Sequence, residues 1–168
     1  MTVLPEQPEW QPVRLAGLAA GEVGPFRCAA EIDAYQEDIR RRAQAYELQR
    51  MRWPEGFPIE TEWALLVATY AKQIGRAVAF SLAAFRQAYA GGRDLGDPDN
   101  VLLAAAACEM HPVAVAKGAG LRSIARRLDE ATVTAAAAGV LDVPAVRVGD
   151  RVFHGDGELA AAAEALAA

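Results

Sequence analysis

The stretch from Gly139 to Asp156 leaves its backbone few options: Gly139-Val140-Leu141-Asp142-Val143-Pro144-Ala145-Val146-Arg147-Val148-Gly149-Asp150-Arg151-Val152-Phe153-His154-Gly155-Asp156. Gly139 follows an alanine-rich helical run and, lacking a Cβ, can take the left-handed conformation that closes a helix. Two alternating runs follow, one around Val146 and Val148, the other around Val152 and His154. Gly149-Asp150 between them suits a two-residue hairpin turn. Pro144 stands at the mouth of the first strand, where a missing N–H does least harm, and its X-Pro bond is a candidate for the cis isomer. Gly155 and Asp156 leave the hairpin, and Glu158-Leu159 open a final alanine-rich helix. The first N–H groups and positive dipole end of that helix suit a small anion.

The chain has 168 residues, enough for one domain or a small domain with a large insertion. A net charge of −5, with Lys72 and Lys117 the only lysines, leaves no electrostatic footprint for nucleic acid. No signal-peptide pattern and no apolar run of membrane-spanning length occurs, so no membrane partner and a cytoplasmic location are expected. Cys28 and Cys108 lie far apart without a C-x-x-C pattern, and two buried free thiols are expected. His111 and His154 have no acid or cysteine at metal-ligand spacing, so no metal site is expected.

Before the hairpin only Glu9 to Leu15 resembles a strand, and Pro12 demotes it to a sheet edge. Ala16 to Pro25 reads as a Gly/Ala-rich loop. From Ala30 to Arg50 an apolar stripe of Ile32, Tyr35, Ile39, Ala43 and Tyr46 predicts an amphipathic helix. An aromatic, proline-punctuated loop with Trp53-Pro54 and Phe57-Pro58 follows. Thr61 stands at an N-cap before the apolar run Trp63 to Ile74, and a helix from Arg76 to Ala90 folds back against it. Asp97-Pro98 and His111-Pro112 each start a further helix, the second closing at Gly118, and Leu121 to Ala138 forms the last of the block.

Local rules leave the chemistry open. With a cis bond before Pro144, the Val143 N–H and C=O would face outward and pair with an extended peptide, whose charged amino-acid end would reach Asp156 and the N–H groups of Gly157 and Glu158. With a trans bond, Pro144 is a strand-start proline and Asp156 a helix cap. Trp53 and Phe57 line an apolar pocket in one reading and form a packing plug in the other, which is preferred. Arg40, Arg41 and Arg42 cannot share one helix face and suit solvent. Ser81 and Ser123, the only serines, sit inside predicted helices, which excludes a serine-hydrolase elbow.

Together these segments resemble the DsbA-like thioredoxin-fold family, in its branch of 2-hydroxychromene-2-carboxylate isomerases and kappa-class glutathione transferases. Trp10-Gln-Pro-Val looks like that branch's second strand, and Tyr35-Gln-Glu-Asp38 with Arg42-Ala43 like its Tyr…Asp…Arg-Ala helix. Trp53-Pro54, Phe57-Pro58 and Thr61 look like the loop that follows. Gly139 to Pro144 resembles its Gly-Val-Phe-Gly-Val-Pro, whose proline is cis, and Phe153-His154-Gly155-Asp156 its Phe-Trp-Gly-(Gln/Asp).

The resemblance implies an α/β, thioredoxin-like (DsbA-type) fold with a large all-helical insertion. Residues 1–29 and 139–168 would form a partial thioredoxin-like core, and 30–138 the insertion. It implies glutathione or another low-molecular-weight thiol as cofactor, with Val143 and Pro144 pairing with its backbone and Gly155 and Asp156 holding its γ-glutamyl end. Trp53, Phe57 and His154 would border a pocket for a small-molecule substrate.

The sequence also departs from the family pattern. His154 replaces a tryptophan, Gly157 stands at an aspartate position, and Asp142 replaces a glycine in a turn where an aspartate would tolerate positive φ. Neither the Ser-Pro-Tyr nor the C-x-x-C turn of the family's active residue occurs, and the core's first strand and helix are not matched, so no catalytic residue is assigned. Two expectations follow. In one, Met1 is not the natural start, and the complete protein is a thiol-dependent isomerase, transferase or thiol-disulfide oxidoreductase. In the other, the chain is a non-catalytic binding or assembly module whose open sheet takes a strand from a partner or, as a homodimer, from a second copy.

Overall fold

In the computed structural model the described residues are 4–19, 26 and 28–167. The chain is mostly helical with one two-stranded antiparallel sheet. Its elements are α1 (Ala29–Ala45), α2 (Glu62–Gln73), α3 (Ala77–Tyr89), α4 (Pro98–Ala106), α5 (Pro112–Ala119), α6 (Arg122–Ala137), β1 (Ala145–Val148), β2 (Arg151–His154) and α7 (Leu159–Ala167). They fall into two compact units, Phe26–Leu128 and Met1–Pro25 with Asp129–Ala168, the division lying within α6.

The helical unit is built on small side chains that let helices approach closely. Val67, Ala71, Phe80, Ala88, Val101, Ala104, Ala105 and Val115 are fully or almost fully buried, where α2 packs against α3, α4 and α5. At Gly118 of α5 an added Cβ would lie 2.4 Å from Cε2 of Tyr70, so the tyrosine ring occupies the space that this glycine leaves. The helix starts follow the sequence. Asp97 accepts the Asp99 N–H at 2.9 Å with Pro98 behind it, and Pro112 opens α5. Thr61 holds the N-cap position of α2 without a side-chain bond; the Glu60 carboxylate takes the Thr61 and Glu62 N–H groups instead, at 2.8 and 3.0 Å.

The first helix stops short of its expected end at Arg50. Glu47 turns left-handed (φ 53°), its N–H bonds to the Gln44 carbonyl, and the Leu48 N–H reaches back to the Ala43 carbonyl at 2.9 Å. These are the two closing bonds of a Schellman motif, here without a glycine.

The other unit contains the hairpin. Its register pairs Ala145 with His154, Val146 with Phe153, Arg147 with Val152 and Val148 with Arg151. Gly149, at the first turn position, has φ 59°. α7 packs on both strands, with Phe153 and Ala162 buried and the Arg151 guanidinium 4.7 Å above the Phe153 ring. Before the hairpin Gly139 closes α6 at φ 89°, with the Val140 N–H on the Ala135 carbonyl at 3.0 Å.

The expected edge strand over Glu9–Leu15 is absent. Residues 7–14 run without ladder bonds into a 3-10 turn at Leu15–Gly17. A strand needs a neighbour, and this segment is held by side chains instead: the Arg14 N–H donates to Thr132 Oγ1 at 3.0 Å, and its guanidinium pairs with Asp129. Residues 20–25 of the expected Gly/Ala-rich loop lie outside the described residues.

Candidate functional site

The hairpin's two outer edges are unlike. In a two-residue hairpin the residues flanking the turn exchange both backbone bonds, and bonded and non-bonded pairs then alternate. With the observed register, Val148–Arg151 and Val146–Phe153 are bonded pairs, and the Gly155 N–H on the Pro144 carbonyl at 2.8 Å continues the series. The Ala145 and Arg147 backbone groups therefore point outward from β1, where no strand pairs with them among the described residues. On β2 the outward His154 N–H is taken by the Glu158 carboxylate at 2.5 Å. Among the described residues, one edge is covered at this end and the other is open.

Polar clasps hold the segment that feeds the open edge. The Leu141 N–H donates to Nε2 of His154 at 3.0 Å, so the imidazole accepts through that nitrogen. The Val143 N–H donates to Asp142 Oδ1 at 2.7 Å, so this amide is engaged locally and does not face outward unencumbered. Asp142 does not take a positive φ, since Glu47 and Glu109 are the only non-glycine residues that do among those described. The Val143-Pro144 bond is cis, as is Phe57-Pro58.

Beyond β2, Gly155 has φ 70° and ψ −178°, a backbone region essentially reserved for glycine. It turns the chain into a 3-10 turn, Asp156–Glu158, that leads into α7. Val143, Pro144, Gly155 and Asp156 thus all lie around the start of β1 and the exit from β2, tied together by the Gly155–Pro144 bond. His154 joins them as a brace on the Leu141 amide. Glu158 carries only a weak sequence signal for this role, its place four residues after His154 at a helix start.

Trp53 and Phe57 belong to the helical unit, where they form an aromatic cluster. Their ring centroids are 4.6 Å apart, Phe57 stacks on Tyr35 at 6.2 Å with nearly parallel planes, and Trp53 meets Tyr89 edge-on at 5.7 Å. The rings fill one another's surroundings as a plug does, and Trp53 Nε1 is buried without a partner. Burial pushes the Tyr89 hydroxyl above the ordinary tyrosine value, and neighbouring Tyr35 adds to the rise.

The cysteines differ. Cys108 is buried, while Cys28 is exposed at the N-cap position of α1, correcting the expectation of two buried thiols; both are free. Burial raises the Cys108 thiol against the pull of Arg76 and Arg86. A groove of about 480 Å³ opens beside it, but Arg76 in its lining is already paired with Glu109 at 3.2 Å. Arg40 pairs with Glu37, and Arg41 and Arg42 pair with Asp38, all at the surface. Among the described residues no group of three His, Cys, Asp or Glu side chains is placed to hold a metal, and no helix is long and apolar enough to cross a membrane.

The hairpin, its proline turn and the helical block have a counterpart among known protein families: a model of the DSBA-like thioredoxin domain matches residues 8–167. The chain belongs to that family. The fold has a solved parallel in a 2-hydroxychromene-2-carboxylate isomerase, 18% identical, with a TM-score of 0.77 over 92% of this chain and 77% of that one. No curated protein matches. Within this DSBA-like domain neither a Ser-Pro-Tyr nor a C-x-x-C turn occurs in the sequence, and its two serines, Ser81 and Ser123, lie in α3 and α6.

Proposed function

We propose that the chain supplies the ligand-holding wall of a thiol-dependent isomerase or transferase acting on a small molecule. The observation that supports this reading is the open outer edge of β1, which continues through the Val143-Pro144 turn and ends beside Gly155 and the start of α7. A glutathione-like thiol would lie extended along it. Its cysteinyl backbone would pair with the Val143 N–H and C=O, and its γ-glutamyl end would reach Gly155 and Asp156. His154 shapes this wall indirectly, by fixing Leu141. The solved relative is named as an isomerase, and the reading extends that class of reaction here. No cysteine or serine borders the wall among the described residues, so the chain is expected to hold the thiol without turning a substrate over by itself.

Calorimetry with reduced glutathione tests the reading. One-to-one binding that weakens about tenfold in Asp156→Ala, with the far-UV spectrum unchanged, is the expected result. No heat at millimolar glutathione would reject it.

The outward Ala145 and Arg147 amides also favour a second reading, a non-catalytic module whose sheet is extended by a strand from a partner or a second copy. Sedimentation separates the two. A monomer that binds glutathione supports the first, and a dimer indifferent to glutathione supports the second.

A further inference from the structure

An extended ligand pairing with β1 through Val143 needs an N–H that the structure shows already engaged. The Asp142 carboxylate accepts it at 2.7 Å, from the same exposed side on which a ligand carbonyl would arrive. The contact is local, within one dipeptide, and no neighbouring element locks it: no other bond or ion pair of the Asp142 side chain is found among the described residues. The backbone on either side is fixed independently, by the Leu141 N–H on His154 and by the Gly155 N–H on Pro144. The Asp142 side chain is thus held by this one local contact, in a turn whose backbone is held by others.

We propose that Asp142 is an internal competitor for the Val143 amide, which sets affinity at this wall and selects the ligand by charge. Docking an extended ligand exchanges a charge-assisted hydrogen bond for one to a neutral carbonyl, which is the weaker of the two. It also returns a carboxylate to the surface beside the incoming chain. A ligand carrying its own carboxylate there meets repulsion that an esterified or amidated ligand does not. Asp142 therefore favours thiol peptides whose end beside the pairing carbonyl is neutral over those, such as glutathione, that end in a free carboxylate. This inference rests on the thiol-wall reading.

Calorimetry on the full chain and its Asp142→Asn and Asp142→Ala variants, with reduced glutathione and with its glycyl monoethyl ester, which keeps the γ-glutamyl carboxylate, tests it. Asn keeps an acceptor but loses the charge, whereas Ala loses both without giving the backbone the freedom of glycine. The wild-type chain is expected to bind the ester several-fold tighter than glutathione, with that gap narrowing in both variants. Asp142→Ala is expected to tighten both ligands by up to about tenfold. Wild-type binding that neither variant improves, with the ester preference unchanged, overturns the role of Asp142 and leaves the thiol wall standing. Binding by none of the three proteins, all with native far-UV spectra, overturns the thiol wall and this inference with it.

Discussion

The helical unit and the hairpin unit solve their backbone and packing problems in opposite ways. In the helical unit small residues bring α2 to α5 close together, buried apolar side chains fill the interior, and the helix ends satisfy their own amides, as at Glu47 and Asp97. The hairpin unit rests on a sheet of two strands, backed by α7 and Phe153, and its outer β1 edge has no strand beside it among the described residues. Its turn is held by exposed polar contacts from His154, Asp142 and Glu158. Packing and exposed hydrogen-bonding groups are thus separated: one region supplies the buried core, and the other presents backbone groups along an edge.

Substitutions in the two regions should then differ in size and in kind. The largest effect is expected from Phe80→Ala, which empties the largest fully buried side chain of the helical core and should cost about 3–5 kcal/mol in denaturant unfolding. Gly118→Ala should follow at about 1–3 kcal/mol, because the new Cβ drives the Tyr70 ring out of its place; a Tyr70→Ala background that removes the penalty would confirm the cause.

A third effect follows from pH. Tyr89 and Cys108 both hold their protons more tightly when folded than at their ordinary values of 10.0 and 9.0. The stability this represents is complete below those values and is lost as pH rises from them through the raised folded values. Urea midpoints should fall in alkaline solution, and Tyr89→Phe should flatten the slope above about pH 10. A slope untouched by Tyr89→Phe would contradict the burial of the Tyr89 hydroxyl.

The smallest stability effect is expected in the hairpin unit. His154→Ala deletes one exposed acceptor and should cost under about 1 kcal/mol, while amide exchange at Leu141 quickens. Were His154→Ala as damaging as Phe80→Ala, the division of labour between the two regions would fail.

Much of this fold is legible in the sequence because its signals are local. Gly139 closing α6, Gly149-Asp150 turning the hairpin, and Asp97-Pro98 and His111-Pro112 opening helices each depend on a few consecutive residues. The family was legible for the same reason, from short segments in a fixed order. What was not legible depends on partners distant in sequence or on side chains competing for one amide. Glu9–Leu15 has strand-like residues but no strand neighbour among the described residues, and Thr132 and Asp129 hold Arg14 instead. Glu60 outcompetes Thr61 as the cap of α2, and Asp142 takes the Val143 N–H, because a carboxylate one bond rotation away is a stronger acceptor than pattern rules anticipate. The early stop of α1 turns on a left-handed glutamate, which carries no compositional signal.

In the function proposed above, the open β1 edge and its proline turn form a wall for a small thiol. Backbone amide NMR during a titration with reduced glutathione tests it most directly. Shifts are expected to concentrate at Val143, Ala145, Arg147, Gly155 and Gly157, with the amides of α2 to α5 unmoved. Shifts confined to the helical unit, or none at millimolar glutathione, would contradict it.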